Sequence, residues 1–224
     1  MDRTISFLIP AYNDESTIAK AVREAHAVGK KVSKKFEIVV VNDGSNDKTG
    51  SHLAALAATM KELRIITHSI NQGYGRTIKE LYYAGKMEWL FSVPGDYQVG
   101  AKELMKVLPF IPEKDMIIGW RKNRQDPRMR LFQSWIYNVL LRLLYQIPFH
   151  DINSVRLIRR KLIGNIQLES RSAFVDAELT IKLQRLGKAI IETPIAHRMS
   201  TVGGGGGKWW TIVPVIVEMI RFRL

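Results

Sequence analysis

Short runs of apolar, often β-branched residues alternate along the chain with longer stretches in which apolar residues recur every three or four positions. The short runs predict strands at Ile5–Ile9, Phe36–Val41, Leu63–Thr67, Trp89–Val93, Met116–Gly119 and Ala189–Thr193. The longer stretches between the first four predict helices at Glu15–Val28, Lys48–Met60 and Gly75–Lys86. Strand–helix alternation at this spacing predicts right-handed βαβ units, and so an α/β fold with a mainly parallel central sheet flanked by helices.

The second half of the chain has a different character. Residues 121–130 are strongly basic, and Leu131–Ile147 predicts a long amphipathic helix. Five consecutive glycines, Gly203–Gly207, leave the backbone unrestricted and predict a mobile loop. We therefore expect one domain over residues 1–202, followed over 203–224 by a glycine-rich loop and an amphipathic segment.

Polar and glycine-containing sequences follow each of the first four strands. They are Pro10–Glu15, Asn42–Ser45, Asn71–Gly75 and Pro94–Gln98. Ligands of parallel α/β sheets bind beyond the carboxyl ends of the strands, which meet at one edge. The four loops are therefore expected to form a single site.

Two of these loops suggest a nucleotide. Asp43 is a carboxylate at a strand end, where it can accept hydrogen bonds from a nucleobase or, alternatively, cap the following helix. Gln72 and Gly73 precede a helix, and their backbone amides suit a diphosphate, although such a turn often has no ligand. The loop is not a Walker motif, because no Gly-Lys-Ser/Thr follows.

The fourth loop suggests a metal. Asp96 and Gln98 place a carboxylate and an amide oxygen two residues apart at the end of a buried strand. Oxygen ligands of this kind suit a hard cation such as Mg²⁺ or Mn²⁺. The alternative is a polar turn with no ligand. Because all four loops occur in order, the metal interpretation gains weight.

Composition narrows the class of partner. The net charge of +13 favours a polyanionic partner, such as a phosphorylated substrate, an anionic membrane surface or nucleic acid. No nucleic-acid-binding motif accompanies the charge, so we expect no nucleic acid partner. The absence of cysteine excludes a disulfide scaffold, a thiolate zinc site and a cysteine nucleophile. The five histidines show no metal-ligand spacing, and we assign them no role.

The ordered motifs resemble those of family 2 glycosyltransferases of the GT-A (Rossmann-like) fold. The segment Ile9–Glu15 (IPAYNDE) resembles the family's opening V-P-x-Y-N-E, and Val41–Thr49 (VNDGSNDKT) resembles V-D-D-G-S-x-D-x-T. Further motifs, among them Asp151–Leu157 and Phe174–Leu179, resemble dolichol-phosphate mannosyltransferases and bacterial polyprenyl-phosphate glycosyltransferases.

The resemblance implies roles for individual residues. Pro10, Tyr12, Asp14 and Asp43, together with the Gln72 and Gly73 turn, would bind the nucleotide. Asp96 and Gln98 would bind the metal, and Arg121, Arg130 and Ser134 the acceptor phosphate and the sugar diphosphate. Asp96, Arg121, Arg130 and Asp176 would be catalytic. The chain departs from the family where Pro94 replaces the first carboxylate of D-x-D-x-Q and Asn42 replaces an aspartate. Its glycine run also leaves the match of Arg198 and Lys208 open.

The implied activity is inverting transfer of a sugar from a GDP- or UDP-linked donor to a polyprenyl or dolichyl phosphate. Asp176 is the candidate base if the acceptor is instead a hydroxyl of a soluble molecule. Asp176 and Glu178 also suit the acidic first turn of a helix. Two further alternatives are a transferase that binds its donor without turnover and a basic binding protein that is not an enzyme.

The C-terminal segment suggests contact with a membrane. Lys208, Trp209 and Trp210 place aromatic residues beside a cation, as interfacial anchors do. A predicted apolar helix face follows, formed by Ile212, Val213, Ile216, Met219 and Ile220. No run approaches the ~18 apolar residues of a spanning helix. We expect peripheral association with the cytoplasmic face of the membrane, or alternatively packing of this helix on the domain or in a homo-oligomer.

Overall fold

The computed structural model of the protein describes residues 3–122, 124, 126–199 and 209–223. The strands are β1 (Thr4–Ala11), β2 (Lys35–Asn42), β3 (Leu63–Thr67), β4 (Trp89–Ser92), β5 (Met116–Arg121), β6 (Arg156–Arg159) and β7 (Ile190–Ile195). The helices are α1 (Ile18–Val32), α2 (Thr49–Ala57), α3 (Tyr74–Ala84), α4 (Leu104–Val107), α5 (Arg128–Tyr145), α6 (Arg160–Ile163), α7 (Val175–Arg185) and α8 (Trp209–Arg221).

The strands form one seven-stranded sheet in the order β3-β2-β1-β4-β6-β5-β7. Pairing is parallel from β3 through β4 and again between β5 and β7, whereas β6 runs antiparallel to both of its neighbours. All strands except β6 therefore end at the same edge of the sheet. The predicted α/β fold with a mainly parallel sheet is confirmed, and the loops after β1 to β5 are brought together at that edge.

Both faces of the sheet are covered, which explains why its central strands are apolar at consecutive positions. Along β1, Phe7 and Ile9 pack with α1, α2 and α4, whereas Leu8 packs on the opposite side with α3, α5 and α7. The hydrophobic cluster that contains Leu8 also includes Val215 and Met219 of α8. The C-terminal helix is thus docked against the domain through one of its sides.

The structure differs from the sequence-based expectations in its details. The predicted strands are all present, but β6 was not expected. Helix α5 begins at Arg128, three residues before the predicted start, because Pro127 precedes its first turn and fixes a backbone angle suited to a helix start. Gly203–Gly207 and Lys208 lie outside the described residues, as do the side chains of Trp209 and Trp210.

Candidate active site

Asp43 lies at the end of β2 and holds the loop that precedes α3. The backbone N–H of Gln72 donates to Asp43 Oδ1 (2.8 Å), and that of Gly73 donates to Oδ2 (2.9 Å). The two amides that were expected to face a diphosphate thus donate to Asp43. Gly73 has a φ of 87°, which favours glycine and allows the chain to turn into α3.

The loops after β1 and β4 lie in contact at the sheet edge. Gly95 N–H donates to the carbonyl of Pro10 (3.2 Å), and a Cβ at Gly95 would stand 2.7 Å from both that carbonyl oxygen and Asp14 Oδ2. Only glycine permits this approach. The contact places the buried Asp14 next to the turn that carries Asp96.

Asp14 and Asp96 are carboxylates whose charge is poorly compensated. Burial raises the pKa of Asp14 to about 6, an effect that the nearby negative charge of Asp96 reinforces. Burial also raises the pKa of Asp96, although the N–H of Gln98 and the charges of Arg130 and Arg121 act in the opposite direction. A divalent cation at this point would relieve the cost of keeping both carboxylates ionised.

The turn that presents Asp96 is held in an uncommon backbone conformation. Tyr97 has a φ of 59°, in the left-handed region that non-glycine residues rarely occupy. Its hydroxyl donates to Glu24 of α1 (2.6 Å), and its ring lies under the guanidinium of Arg198, 4.3 Å from the centroid. Contacts from two distant segments thereby fix the direction of Asp96 and Gln98.

The segment after β7 brings a histidine to the same place. The N–H of Arg198 donates to the carbonyl of Gln98 (2.8 Å), which places His197 beside the turn that carries Asp96. The His197 side chain is 1% exposed. Neither ring nitrogen has a hydrogen-bond partner among the described residues. Its Nε2 lies 3.9 Å from Asp126 Oδ2, beyond hydrogen-bond distance. A buried histidine without a hydrogen bond is costly unless a ligand or ion binds it.

These observations test whether the site suits a divalent cation. Asp96 and Gln98 supply a carboxylate and an amide oxygen, which suit Mg²⁺ or Mn²⁺, and His197 supplies an imidazole, which is a softer ligand typical of transition-metal ions. No group of three or more His, Asp or Glu side chains within the described part of the chain is already arranged around a common point. The donor set therefore fits a cation held partly by the protein and partly by ligand phosphates.

An arginine cluster lies on the other side of the site, between β5 and α5. Arg121 Nε and Nη2 donate to the two oxygens of Asp151 (2.7 and 2.8 Å), forming a buried bidentate pair. Arg124 donates to Asp126 (2.8 Å) and to the Ser134 hydroxyl (2.9 Å). The acidic partners hold these guanidinium groups in fixed positions.

The arginines line two adjoining cavities. One, of about 210 Å³, lies between α5 and α8. Its described lining includes Arg121, Arg124, Arg130, Ser134, Ile212 and Val215. The other, of about 520 Å³, contains Pro10, Tyr74, Asp96 and Gln98 and shares Arg121, Arg130 and Asn153 with the first. Arg121 and Arg130 thus stand between the carboxylate side and the α5–α8 cavity.

Asp176 lies in a buried cluster behind the larger cavity. Its two oxygens accept hydrogen bonds from the hydroxyls of Tyr74 (2.8 Å) and Tyr82 (2.9 Å). The fully buried guanidinium of Arg156 is 3.3 Å from Asp176 Oδ1. Asp176 is not among the described residues that line either cavity.

Sequence reasoning placed most of these residues at the site but missed three of them. His68 bonds to Asp43, His197 lies at the turn after β4, and Arg124 lines the α5–α8 cavity. Arg124 lies within the basic stretch of residues 121–130, and the high density of positive charge in that stretch could have identified it. His68 and His197 gave no such signal in the sequence, because the residues that they approach are distant along the chain.

Helix α8 closes one side of the α5–α8 cavity. Glu218 accepts hydrogen bonds from the N–H groups of Arg171 (2.9 Å) and Ser172 (3.1 Å), and also from the Ser172 hydroxyl (2.6 Å). Of the predicted apolar face, Met219 is buried in the core, whereas Val213 and Ile220 are exposed. No helix within the described residues is long and apolar enough to cross a membrane.

The sheet order, the loops at its carboxyl edge and the acidic turn after β4 together define a GT-A glycosyltransferase domain. The chain belongs to glycosyl transferase family 2, whose model matches residues 6–167. It is therefore a glycosyltransferase.

Curated relatives of the chain act on polyprenyl phosphates, as their names state. An undecaprenyl-phosphate 4-deoxy-4-formamido-L-arabinose transferase of Pectobacterium atrosepticum is 23% identical over 97% of this chain and 67% of that protein. A dodecaprenyl-phosphate galacturonate synthase of Rhizobium johnstonii is 25% identical over 73% of this chain and 50% of that protein. The chain thus spans between half and about two thirds of these relatives.

Among solved structures, the chain resembles glucosyl-3-phosphoglycerate synthase from Mycobacterium tuberculosis in complex with Mn²⁺, UDP and phosphoglyceric acid. The TM-score is 0.78 at 16% identity, and the match covers 99% of this chain and 78% of the other. At this identity the likeness establishes the shared fold.

Proposed function

We propose that this glycosyltransferase moves a sugar, with inversion, from a nucleoside-diphosphate sugar to a polyprenyl-type lipid phosphate at an anionic membrane surface. The observation that carries the proposal is the convergence of Arg121, Arg124 and Arg130 on a cavity between two helices. A guanidinium cluster suits a phosphate, and the names of the curated relatives point to the same acceptor class.

The donor would occupy the larger cavity and the loops beside it. Tyr12 is half exposed at the end of β1 and offers a face for a nucleobase, whose polar edge would approach Asp43. The diphosphate would lie toward Asp96, with Arg121 and Arg130 on its far side. Asp14 acts in this arrangement by adding negative charge to the cation site.

Asp96, Gln98 and His197 would hold a Mg²⁺ or Mn²⁺ ion. When bound, the ion neutralises charge that grows on the departing diphosphate. Arg121 and Arg130 lie close enough to lower the pKa of Asp96, and they supply positive charge from the opposite side. The missing carboxylate at Pro94 makes this contribution from the arginines more important.

The chemical step needs no strong base when the acceptor is a phosphate. An ionised phosphate oxygen attacks the anomeric carbon of the sugar and forms the new C–O bond. The bond from that carbon to the diphosphate breaks, and the nucleoside diphosphate leaves with the electron pair. Arg124, whose guanidinium is fixed by Asp126, would orient the attacking phosphate.

The outer surface around the α5–α8 cavity suits a lipid bilayer. Phe132 and Trp135 of α5 are 51% and 62% exposed and stack on each other, with ring centroids 6.1 Å apart. Val213 and Ile220 of α8 are exposed as well. Exposed arginines of both helices, Arg128 of α5 and Arg221 of α8, complete this membrane face.

The acceptor is tested by measuring nucleoside diphosphate release from a panel of UDP- and GDP-sugars with undecaprenyl phosphate or undecaprenol in detergent. We expect release with the phosphate and none above background with the alcohol, because the arginines bind the phosphate group. Equal release with both lipids would overturn the assignment of the acceptor, while leaving glycosyl transfer intact.

Membrane contact is tested by flotation with vesicles that contain about one third anionic lipid. The double substitution Phe132→Ser and Trp135→Ser should leave most of the protein at the bottom of the gradient. Leu186→Ser removes an equally exposed apolar side chain beyond α7 and serves as the control. Absence of wild-type flotation at low salt, or equal flotation of the double variant, contradicts the proposed face.

A hydroxyl acceptor is the second candidate, and it makes a different demand on Asp176. This carboxylate, which is bonded to Tyr74 and Tyr82 and lines neither cavity, would have to become accessible before it could accept a proton from a substrate. Asp176→Asn distinguishes the two candidates. With a phosphate acceptor the folded variant retains turnover, whereas loss of turnover with intact donor binding supports a hydroxyl acceptor.

A further inference from the structure

His68, directly after β3, lies between two carboxylates. Its Nδ1 is 2.6 Å from Asp43 Oδ1, and its Nε2 is 2.6 Å from Glu80 Oε2 of α3. The histidine and Asp43 side chains are both less than one tenth exposed. A neutral imidazole carries a single N–H, so a ring that donates to two carboxylates must be the imidazolium.

The charge of His68 agrees with this geometry. Burial alone would lower the pKa of His68, but the hydrogen bonds and negative charges of Asp43 and Glu80 raise it. The same contact helps to hold the pKa of Asp43 low despite burial. His68 and Asp43 therefore form a fixed ionic contact at the residue proposed to face the nucleobase.

The hydrogen bonds of Asp43 can be counted. A carboxylate offers about four acceptor positions, two on each oxygen. On Oδ1 both are filled, by His68 and by the N–H of Gln72. On Oδ2 the N–H of Gly73 fills one, and the buried hydroxyl of Thr77 makes no hydrogen bond with any described residue. Asp43 can therefore offer a ligand at most one position.

We propose that His68 is a specificity-determining residue, which leaves Asp43 a single acceptor position and so selects a uracil base over guanine. The inference rests on the proposed function, because it assigns the base of the same donor. It gives a role to a buried histidine that takes no part in metal binding or in transfer.

The two bases differ in what they present to a carboxylate. The polar edge of guanine carries adjacent donors, N1–H and N2–H, which a carboxylate with two free oxygens can accept together. Uracil carries a single imide donor, N3–H, between two carbonyl groups. At Asp43 the second guanine donor would lose its water without gaining a partner, which costs about tenfold or more in affinity.

The direct test compares UDP with GDP by calorimetry in the presence of Mn²⁺. The two ligands share their ribose and phosphates, so the ratio of their dissociation constants isolates the base. We expect UDP to bind at least about tenfold more tightly than GDP. Binding of GDP as tight as that of UDP overturns the inference but leaves the transferase assignment standing. Failure of both nucleotides to bind counts against the proposed function itself.

Substitutions at His68 test whether this residue sets the ratio of the GDP and UDP dissociation constants. His68→Phe removes the donor and frees a position on Oδ1, so the preference for UDP over GDP should fall about fivefold or more. His68→Gln keeps an N–H donor and should retain the preference. His26→Phe is the matched control, because His26 pairs with Glu62 on another part of the surface.

The outcomes separate a selective role from a structural one. If His68 has only a structural role, His68→Phe should weaken the binding of UDP and of GDP equally and leave the ratio of their dissociation constants unchanged. That result would overturn the assignment to His68. If His68→Phe does not fold, His68→Ala removes the same donor with a smaller side chain. The wild-type ratio decides the base preference in either case.

Discussion

The two sides of the active site differ in how their charges are compensated. On the proposed donor side, Asp14 is a buried carboxylate and Asp96 a partly buried one, and both have raised pKa values and no salt bridge among the described residues. On the acceptor side, Arg121 and Arg124 are already paired with Asp151 and Asp126 at hydrogen-bond distance. In the proposed function a cation completes the first side, whereas the second is a preformed cluster of positive groups.

This difference predicts that the binding of one ligand depends on a metal ion and that the binding of the other does not. If a cation completes the donor side and contacts the diphosphate, as proposed, donor affinity should depend strongly on the metal. The acceptor side needs no ion, because its guanidinium groups are held by their carboxylate partners. Substitutions on the two sides should accordingly change different measurable quantities.

Removal of the Asp96 carboxylate should have the largest effect. In Asp96→Ala we expect turnover to fall by about two to three orders of magnitude, as when a charge-stabilising group is lost from an active site. Mn²⁺ affinity, measured by electron paramagnetic resonance, should fall with it. The exposed Glu113→Gln is the control. Unchanged Mn²⁺ binding in Asp96→Ala would remove this residue from the metal site.

Arg124 offers the sharpest test of the acceptor side. Arg124→Gln should raise the KM for the lipid phosphate about tenfold or more, because a charge-assisted contact to phosphate is lost. Nucleotide affinity should change by no more than about twofold, since Arg124 lines the α5–α8 cavity and is not among the described residues that line the larger cavity. Arg142→Gln removes an exposed arginine from the same helix and should leave both values unchanged. A matching loss of nucleotide affinity in Arg124→Gln contradicts the division into two sides.

A smaller change is expected from the hydroxyl of Tyr97. Tyr97→Phe removes the hydrogen bond to Glu24 but keeps the ring under Arg198. One such bond contributes about 0.5–1.5 kcal/mol, so Mn²⁺ affinity should fall about two- to tenfold as the turn loosens. Tyr83→Phe removes another tyrosine hydroxyl bond, to the carbonyl of Ile166. It should not affect Mn²⁺ binding, and an equal effect would show that the Tyr97 contact has no special part in the metal site.

The same division explains what could be predicted from the sequence. The donor side is built from parallel strands and the loops directly after them, so apolar runs and turn residues place Asp43, Gly73 and Asp96 in one site. The packing of Gly95 against Pro10 also follows once the strands are adjacent. Local patterns suffice here because the sheet imposes the long-range geometry.

The buried ion pairs in the second half of the chain could not be derived in that way. Strand β6 begins with Arg156, which reads as an exposed residue in the sequence but is buried against Asp176 and carbonyl groups of the preceding loop. The pairing of Arg121 with Asp151 joins segments thirty residues apart. Burial of charge depends on such distant partners, and hydrophobic periodicity carries no information about them.

The smallest predicted effect concerns His68 and pH. Asp43 and Glu80 raise the pKa of His68 in the folded state. A raised pKa stabilises the fold fully below the unfolded value of about 6.5, and this contribution is lost as the pH rises through the folded value. The difference in unfolding free energy between wild type and His68→Phe should therefore be largest near pH 6 and shrink toward pH 9, by on the order of 1 kcal/mol.

Urea denaturation at several pH values measures this difference. Asp43 does not confuse the result, because its pKa is lowered and its own contribution is lost only in acid. His26→Phe, at a histidine that pairs with Glu62 away from Asp43, is the control for removal of an imidazole. A difference that grows toward pH 9 would show that His68 is neutral in the folded protein. His68 would then donate a single hydrogen bond, to Asp43 or to Glu80 but not to both, and the donor side would be less rigid than the paired arginines opposite it.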